Sequence, residues 1–365
     1  MKSDLVDVLD SSFWTETRPV VMGGDVELEG WLGNQEAFQK QVVFRTSGSS
    51  GSEKWISLSK EALEWSARKV IEHLKITEGD VLGLALPSRH VGGFGVVARA
   101  YFSGARLIEF ERSWSPEEFS KWCELEGVTV TSLVPTQVSD LVRLKMRSPK
   151  SMRVIVVGGG HFEDGLKEQA RELGWPVQPS YGMTETSSQI ATGDGLPLIR
   201  GWEARIDEGH LLVKGEGLLS WIIRRTDSGF AHVDPKREGW YCTQDLAEID
   251  RGKLRILGRA DRQVKILGEL VNLESLEKRW SEILECPTAV LTRPDVRRGV
   301  SLWLLVEGKA QSLDSLNQGM PGLERLAGWG FLKKFPRSGV GKIDRLTLKK
   351  IHAEYDCAKG ETGLS

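Results

Sequence analysis

From about residue 54 to 180, short apolar runs alternate with segments of helical period, and this rhythm constrains the fold more than any other feature. KWISL (54–58), VLGLAL (81–86), RLIEF (106–110), VTVTSLV (128–134) and RVIVV (153–157) read as strands. Ser59 opens a helix that places Leu63, Ala67, Val70, Ile71 and Leu74 on one face. SPEE (115–118) reads as a capping box with proline at the first helical position, and PTQVSDLVRLK as a further helix. Strands apolar on both faces and joined by helices belong in a mostly parallel sheet covered by helices. Ligands of such sheets sit at the C-terminal strand ends.

Between about 198 and 258 the character changes: HLLVKGEG, LLSWIIRR, WYCTQDLAEID and KLRILG are short runs divided by Gly and Asp turns, which predicts a β subdomain. After GRADRQ (258–263) a helix (LESLEKRWSEIL), a strand (SLWLLVEG) and a last helix (RLTLKKIHAEY) follow. The expectation is therefore an α/β protein: a large N-terminal domain (1–260) with mostly parallel sheets and a β subdomain, then a small mobile α+β domain (261–365). A chain of 365 residues is long enough for two such cores.

Charge narrows the function. The net charge of −2 supplies no basic field for nucleic acid or an anionic membrane. No run of about 18 apolar residues suggests a membrane span. The four cysteines are far apart and form no CxxC pair, which argues against a disulfide framework or a zinc knuckle and fits a cytoplasmic location.

Five segments could carry chemistry. RTSGSSGSEKW (45–55) is rich in Gly and Ser, whose backbone N–H groups and hydroxyls can surround an anion. It lacks the P-loop NTPase signature, since Glu53 precedes Lys54. PSYGMTETSSQ (179–189) offers an aromatic face at Tyr181, hydroxyls at Thr184 and Thr186, and the Glu185 carboxylate. These types suit a base, a phosphate and Mg²⁺. WYCTQDLAEI (240–249) carries Asp245 at an expected strand end, where a carboxylate can accept both hydroxyls of a ribose. GRADRQVKILGELVNLESLE (258–277) and FPRSGVGKIDR (335–345), with its glycine-flanked lysine, complete the set. Gly93-Phe-Gly95-Val-Val-Ala98 matches the dinucleotide fingerprint, but it begins six residues after its strand and reads better as a helix packed on the sheet.

In order and spacing the five segments resemble the motifs of the adenylate-forming superfamily: acyl-CoA synthetases, adenylation domains and luciferases. The family's T-S-G-[ST]-T-G-x-P-K looks like Thr46 to Lys54, and its Y-G-x-T-E like Tyr181 to Glu185. Its Y-x-T-G-D is similar to Tyr241 to Asp245, its G-R-x-D-x-x-[VI]-K to Gly258–Lys265, and its last motif to Pro336–Arg345. Glu53 stands for the usual Pro and Gln244 for the usual Gly. Only 45 residues precede Thr46, so the resemblance implies a shortened N-terminal part. A narrower resemblance, carried by LPSRHVGGFGVVAR (86–99) and SLVPTQ (132–137), is to the o-succinylbenzoate–CoA ligases of menaquinone synthesis.

The resemblance implies ATP, Mg²⁺ and coenzyme A, with an aryl carboxylic acid as the other substrate. Thr46, Ser47, Gly48, Ser49, Ser50, Gly51 and Lys54 would cradle phosphates; Gly158, Gly159, Gly160, Tyr181 and Gly182 would flank adenine. Asp245 and Arg259 would bind ribose, and Glu185 would hold the metal. Lys342, Thr184, Glu185 and His90 are the implied catalytic residues, and Arg99, His90 and Thr136 the implied acyl-substrate residues. Asp261 would be the hinge, with Lys265 and Gly268 serving the CoA step. The alternatives are a CoA ligase for another aryl or short acyl acid, and an ATP/AMP-binding protein without ligase activity. Expected partners are small molecules only, with a homodimer left open.

Overall fold

A computed structural model describes residues 8–46, 53–308, 316–318, 320–337 and 343–356. The first sheet begins with β1 (Val20–Met22), β2 (Gln41–Thr46) and β3 (Lys54–Ser59). Ser59 then caps the helix Lys60–Leu74, its hydroxyl accepting the Ala62 N–H at 3.0 Å. Leu63, Ala67, Val70 and Leu74 of the expected face are buried, while Ile71 is only partly covered.

The expected parallel sheet follows: β4 (Val81–Leu84), β5 (Arg106–Glu109), β6 (Val130–Leu133), β7 (Val154–Val157) and β8 (Val177–Met183), with β9 (Ser188–Thr192) antiparallel at one edge. Their order is β5-β4-β6-β7-β8-β9. The fingerprint glycines lie in the helix Val91–Ser103, where a β-carbon on Gly93 would stand 2.3 Å from the Pro87 carbonyl oxygen. There glycine serves close packing rather than a nucleotide. Only half of the capping box forms at 115–118: the Ser115 hydroxyl accepts the Glu118 N–H, but the Glu118 carboxylate pairs with Arg112. A nearby guanidinium outcompetes a neutral N–H for that carboxylate.

Strands β10 (Glu203–Asp207), β11 (His210–Lys214), β12 (Trp221–Thr226), β13 (Gly229–Val233), β14 (Tyr241–Asp250) and β15 (Lys253–Arg259) do not make one subdomain. Strands β10-β11-β14-β15 form an antiparallel sheet, whereas β12 joins β3, pairing Arg224 with Lys54. Ile222 and Ile223 explain this: one packs in the main core and the other in the cluster of Val43, Trp55 and Phe38, so β12 needs cover on both faces.

Beyond these lie β16 (Gln263–Ile266), β17 (Glu269–Asn272), the helix Leu273–Leu284, β18 (Thr288–Asp295), β19 (Gly299–Glu307), β20 (Leu326–Leu332) and the helix Arg345–Asp356. They pack a core of their own around Ile266, Leu276, Trp280, Leu302 and Leu304. Among the described residues no helix is long and apolar enough to cross a membrane.

Candidate active site

Thr46 ends β2 and Lys54 opens β3, and the two are paired. Ser47, Gly48, Ser49, Ser50 and Gly51 lie outside the described residues, as does Lys342. The Lys54 ammonium reaches Glu185, Nζ to Oε1 2.8 Å, with both side chains largely buried. Glu185 lies between β8 and β9. SYGM belongs to β8, TET forms a single tight helical turn and Ser188 starts β9, so the segment is a hairpin tip.

That tip is tightly specified. The Thr186 hydroxyl accepts the Met183 N–H at 3.1 Å and also contacts the Met183 and Ser188 carbonyls, so it serves the turn. The Glu185 carbonyl accepts the Leu219 N–H at 2.9 Å. A β-carbon on Gly182 would fall 1.8 Å from the Ser188 carbonyl oxygen, so only glycine fits there. Thr184 is partly exposed, its carbonyl accepting the Ser187 N–H at 3.2 Å.

Beside this pair stands a second constellation. The Tyr181 hydroxyl donates to Asp245 Oδ2 at 2.5 Å, and Arg259 Nη1 lies 3.6 Å from Asp245 Oδ1. Asp245 sits in the middle of β14, next to a bulge between Leu246 and Ala247, and not at a strand end. The bulge turns its carboxylate toward β8. Burial raises the Asp245 carboxyl above its usual range, against the opposing effects of Tyr181 and Arg259. Burial and the Asp245 charge push the Tyr181 phenol well up, so it remains a donor. Gly158 follows β7 and faces Ser180 on the strand that carries Tyr181, whereas Gly160 faces Pro135.

The implied acyl residues are less uniform. His90 is the N-cap residue of the helix Val91–Ser103, and its carbonyl accepts the Phe94 N–H at 2.9 Å. Arg99, inside that helix, is 3% exposed. Among the described residues its guanidinium has one hydrogen-bond partner, the Ser132 hydroxyl at 3.4 Å. Burial lowers its pKa to about 10, which still leaves it charged at neutral pH. Thr136 is exposed in the first turn of the helix Pro135–Arg143. Sequence reasoning assigns no role to Ser132 or Ser188, although a hydroxyl in the buried strand VTSL is a usable signal.

Asp261 faces Arg259, with contacts of 3.1 and 3.2 Å. The Arg259 N–H also donates to Glu274 Oε2 at 2.9 Å. Lys265 and Gly268 are exposed on the β16–β17 hairpin.

Residues 40–210 match the family model described as AMP-binding enzyme. The 2-succinylbenzoate–CoA ligase of Bacillus subtilis (strain 168) is 29% identical over 370 residues, 92% of this chain and 72% of that protein. The enzyme of the same name from Escherichia coli (strain K12) is 33% identical over 239 residues, 64% of this chain and 51% of that protein. Among solved structures, the Bacillus subtilis o-succinylbenzoate coenzyme A synthetase in complex with ATP and magnesium ion superposes with a TM-score of 0.73 at 26% identity, over 84% of this chain and 69% of that one. Its complex with the acyl-adenylate intermediate, at 23% identity, shows likeness of fold, with a TM-score of 0.75 over all of this chain and 83% of that one. The chain is shorter than these proteins and mixes the same α/β layers. Residues 40–210, which hold Lys54, Tyr181 and Glu185, thus match an AMP-binding enzyme region, and the chain as a whole is similar to 2-succinylbenzoate–CoA ligases.

Proposed function

We propose that this chain is an ATP-dependent carboxylate–CoA ligase that converts o-succinylbenzoate to its CoA thioester through an acyl-adenylate. The reading rests above all on one observation: the Lys54–Glu185 pair stands beside the Tyr181–Asp245–Arg259 set. A cation and a carboxylate suited to phosphates thus adjoin a carboxylate suited to ribose hydroxyls, with Gly158 alongside; Gly159 and Gly160, next in the chain, complete the expected approach to the base.

In the first step a carboxylate oxygen attacks the α-phosphorus of ATP, and the bond to pyrophosphate breaks. In the second the CoA sulfur attacks the acyl carbonyl and AMP leaves, carrying the bonding pair. Such chemistry needs positioning and charge neutralisation more than covalent help. Thr46, Lys54 and the Gly/Ser segment hold phosphates in this reading, and Thr184 and His90 line the reacting centre. Among the described residues no three acidic, His or Cys side chains gather as a metal cage. One carboxylate together with substrate phosphates suits Mg²⁺, so Glu185 fits as its protein ligand. When bound, the metal would supply charge neutralisation on the phosphates. Division of the chain at 260/261, Asp261 as hinge, Lys342 at the first step and Lys265 with Gly268 at the second are parts of the same proposal.

The choice of acid is supported by the names of the similar ligases and by the buried Arg99 cation, which suits a second carboxylate. The test is thioester formation from ATP, CoA and o-succinylbenzoate, with benzoate and short fatty acids in parallel. Turnover restricted to another acid would discard the substrate; turnover of none would discard the ligase.

A narrower result is expected from Asp245→Asn. Asp245 accepts from Tyr181 and, in this reading, from ribose, and a lost charged hydrogen bond is worth about tenfold or more in affinity. The ATP KM in pyrophosphate exchange should rise about tenfold. An unchanged KM would take Asp245 out of the nucleotide site.

A further inference from the structure

Glu53 ends the Gly/Ser segment and immediately precedes Lys54, at the position where the resembling motif carries proline. Each oxygen of its carboxylate has a guanidinium. Oε1 accepts from Arg45 Nη2, and Oε2 accepts from Arg225 Nε at 3.0 Å. The sheet sets this up. Arg224 pairs with Lys54 across β12 and β3, so Arg225 comes opposite residue 53. Arg45 pairs with Trp55 across β2 and β3, which makes Glu53 its diagonal neighbour.

Arg225 is itself held. Its guanidinium lies 4.7 Å from the ring centre of Phe230 and 5.9 Å from that of Trp55, and it also meets Glu27 at 2.6 Å and Asp25 at 3.8 Å. Asp25 caps the helix Val26–Gly33, accepting the Leu28 N–H at 3.0 Å. Exposed ion pairs taken singly contribute little, but this is a network built on a side chain that ring contacts already order. It lies on the face of the sheet where Trp55 packs against Val43 and Ile223. Lys54, one residue on from Glu53, points to the other face and meets Glu185. An unpaired carboxylate at 53 would compete for that lysine and repel phosphates. Two guanidiniums on the reverse face remove both effects.

We propose that Glu53 is a positioning residue for the nucleotide: bound by Arg45 and Arg225 on the reverse face of the sheet, it pins the end of the Gly/Ser segment and so aims the Lys54 ammonium at the ATP phosphates. The inference rests on the reading above that places phosphates at Lys54. It adds an ionic clamp where proline would restrain the backbone through its ring. A ring is indifferent to salt, whereas a clamp of partly exposed charges is screened by it.

The experiment measures the Kd for ATP with magnesium by calorimetry on the full chain, at low and high salt, with thermal unfolding alongside. Glu53→Gln keeps the size of the side chain and loses its charge. It should raise the Kd about threefold at low salt, and the gap should close at about 1 M salt, where the Debye length is about 3 Å. Arg225→Gln should act in the same direction, and the double variant should bind no worse than the weaker single one. Glu53→Pro should restore the wild-type affinity. The sign of the change separates a clamp from a bare charge, because neutralising a nearby anion would by itself tighten ATP binding. A Kd that falls in Glu53→Gln, or holds while only Tm drops, would overturn the clamp. The expected shifts in ATP affinity in a chain inert toward every acid would overturn the ligase and leave the clamp standing. A chain that binds no ATP would overturn both.

Discussion

Replacing Glu185 with glutamine is expected to lower ATP–pyrophosphate exchange by about 10²–10³-fold, equivalent to roughly 3–4 kcal/mol of transition-state stabilisation. Glu185 is the carboxylate that the hairpin tip presents to Lys54 at 2.8 Å. Its backbone is fixed independently of its charge, because the Leu219 N–H holds its carbonyl. The amide is nearly isosteric, so the tip should survive while the charge that, in the proposed reading, would hold Mg²⁺ is lost. Thioester formation from supplied acyl-adenylate needs no pyrophosphate departure and should fall less than tenfold. A loss below tenfold in the exchange reaction would remove Glu185 from phosphate chemistry. Equal losses in both half-reactions would point instead to collapse of the tip, which a lowered Tm would reveal.

How far the site could be read from the sequence depended on what kind of information each residue carried. Lys54, Tyr181, Glu185 and Asp245 are chemically conspicuous and sit in short motifs, so their identity was legible. Their mutual geometry was not. Nothing local says that the Tyr181 hydroxyl takes one oxygen of Asp245, because 64 positions separate the two residues. TETSSQ contains turn formers and gives no sign that a register shift joins β8 to β9. The positive φ of Ser187 and Ser188 was invisible for the same reason: Ser187 is held by Gly217 and Ser66, both distant in the chain.

The fold shows a similar division. The parallel strands were legible because burial on both faces leaves continuous apolar runs. The β region between 198 and 258 was legible as strands but not as sheets. Strand β12 leaves its sequence neighbours to pair with β3, a partner more than 160 residues earlier in the chain. Only its two adjacent buried isoleucines hint at a central place. Capping also illustrates the limit, since Ser115 behaves as its motif predicts while Glu118 answers to Arg112 instead.

At the opposite end of the same sheet, Asp80→Asn should destabilise the chain by about 2–3 kcal/mol at neutral pH, read as a lower urea midpoint. Asp80 is 7% exposed at the start of β4. Arg153 binds it in a fork, with Nε to Oδ1 and Nη2 to Oδ2 both at 2.7 Å, while the Thr77 N–H and the Thr129 hydroxyl supply two more donors. The same guanidinium donates to the Leu74 and Lys75 carbonyls, so it also closes the C-terminal end of the helix Lys60–Leu74. The pair thus ties that helix to β4, β6 and β7. Arg153 is about one-third exposed, which keeps the expected loss at the lower end of the range for a broken buried pair. The Arg153 fork, aided by Thr77 and Thr129, holds the Asp80 carboxyl far below the usual carboxylate range. A depressed acid stabilises the fold above its unfolded pKa near 4 and loses that contribution as pH falls toward the folded value. The gap in stability between wild type and Asp80→Asn should therefore be constant from pH 5 to 7 and shrink below about pH 4. A gap that widened on acidification would contradict the assigned charge state, and no gap at neutral pH would reduce the fork to a surface contact.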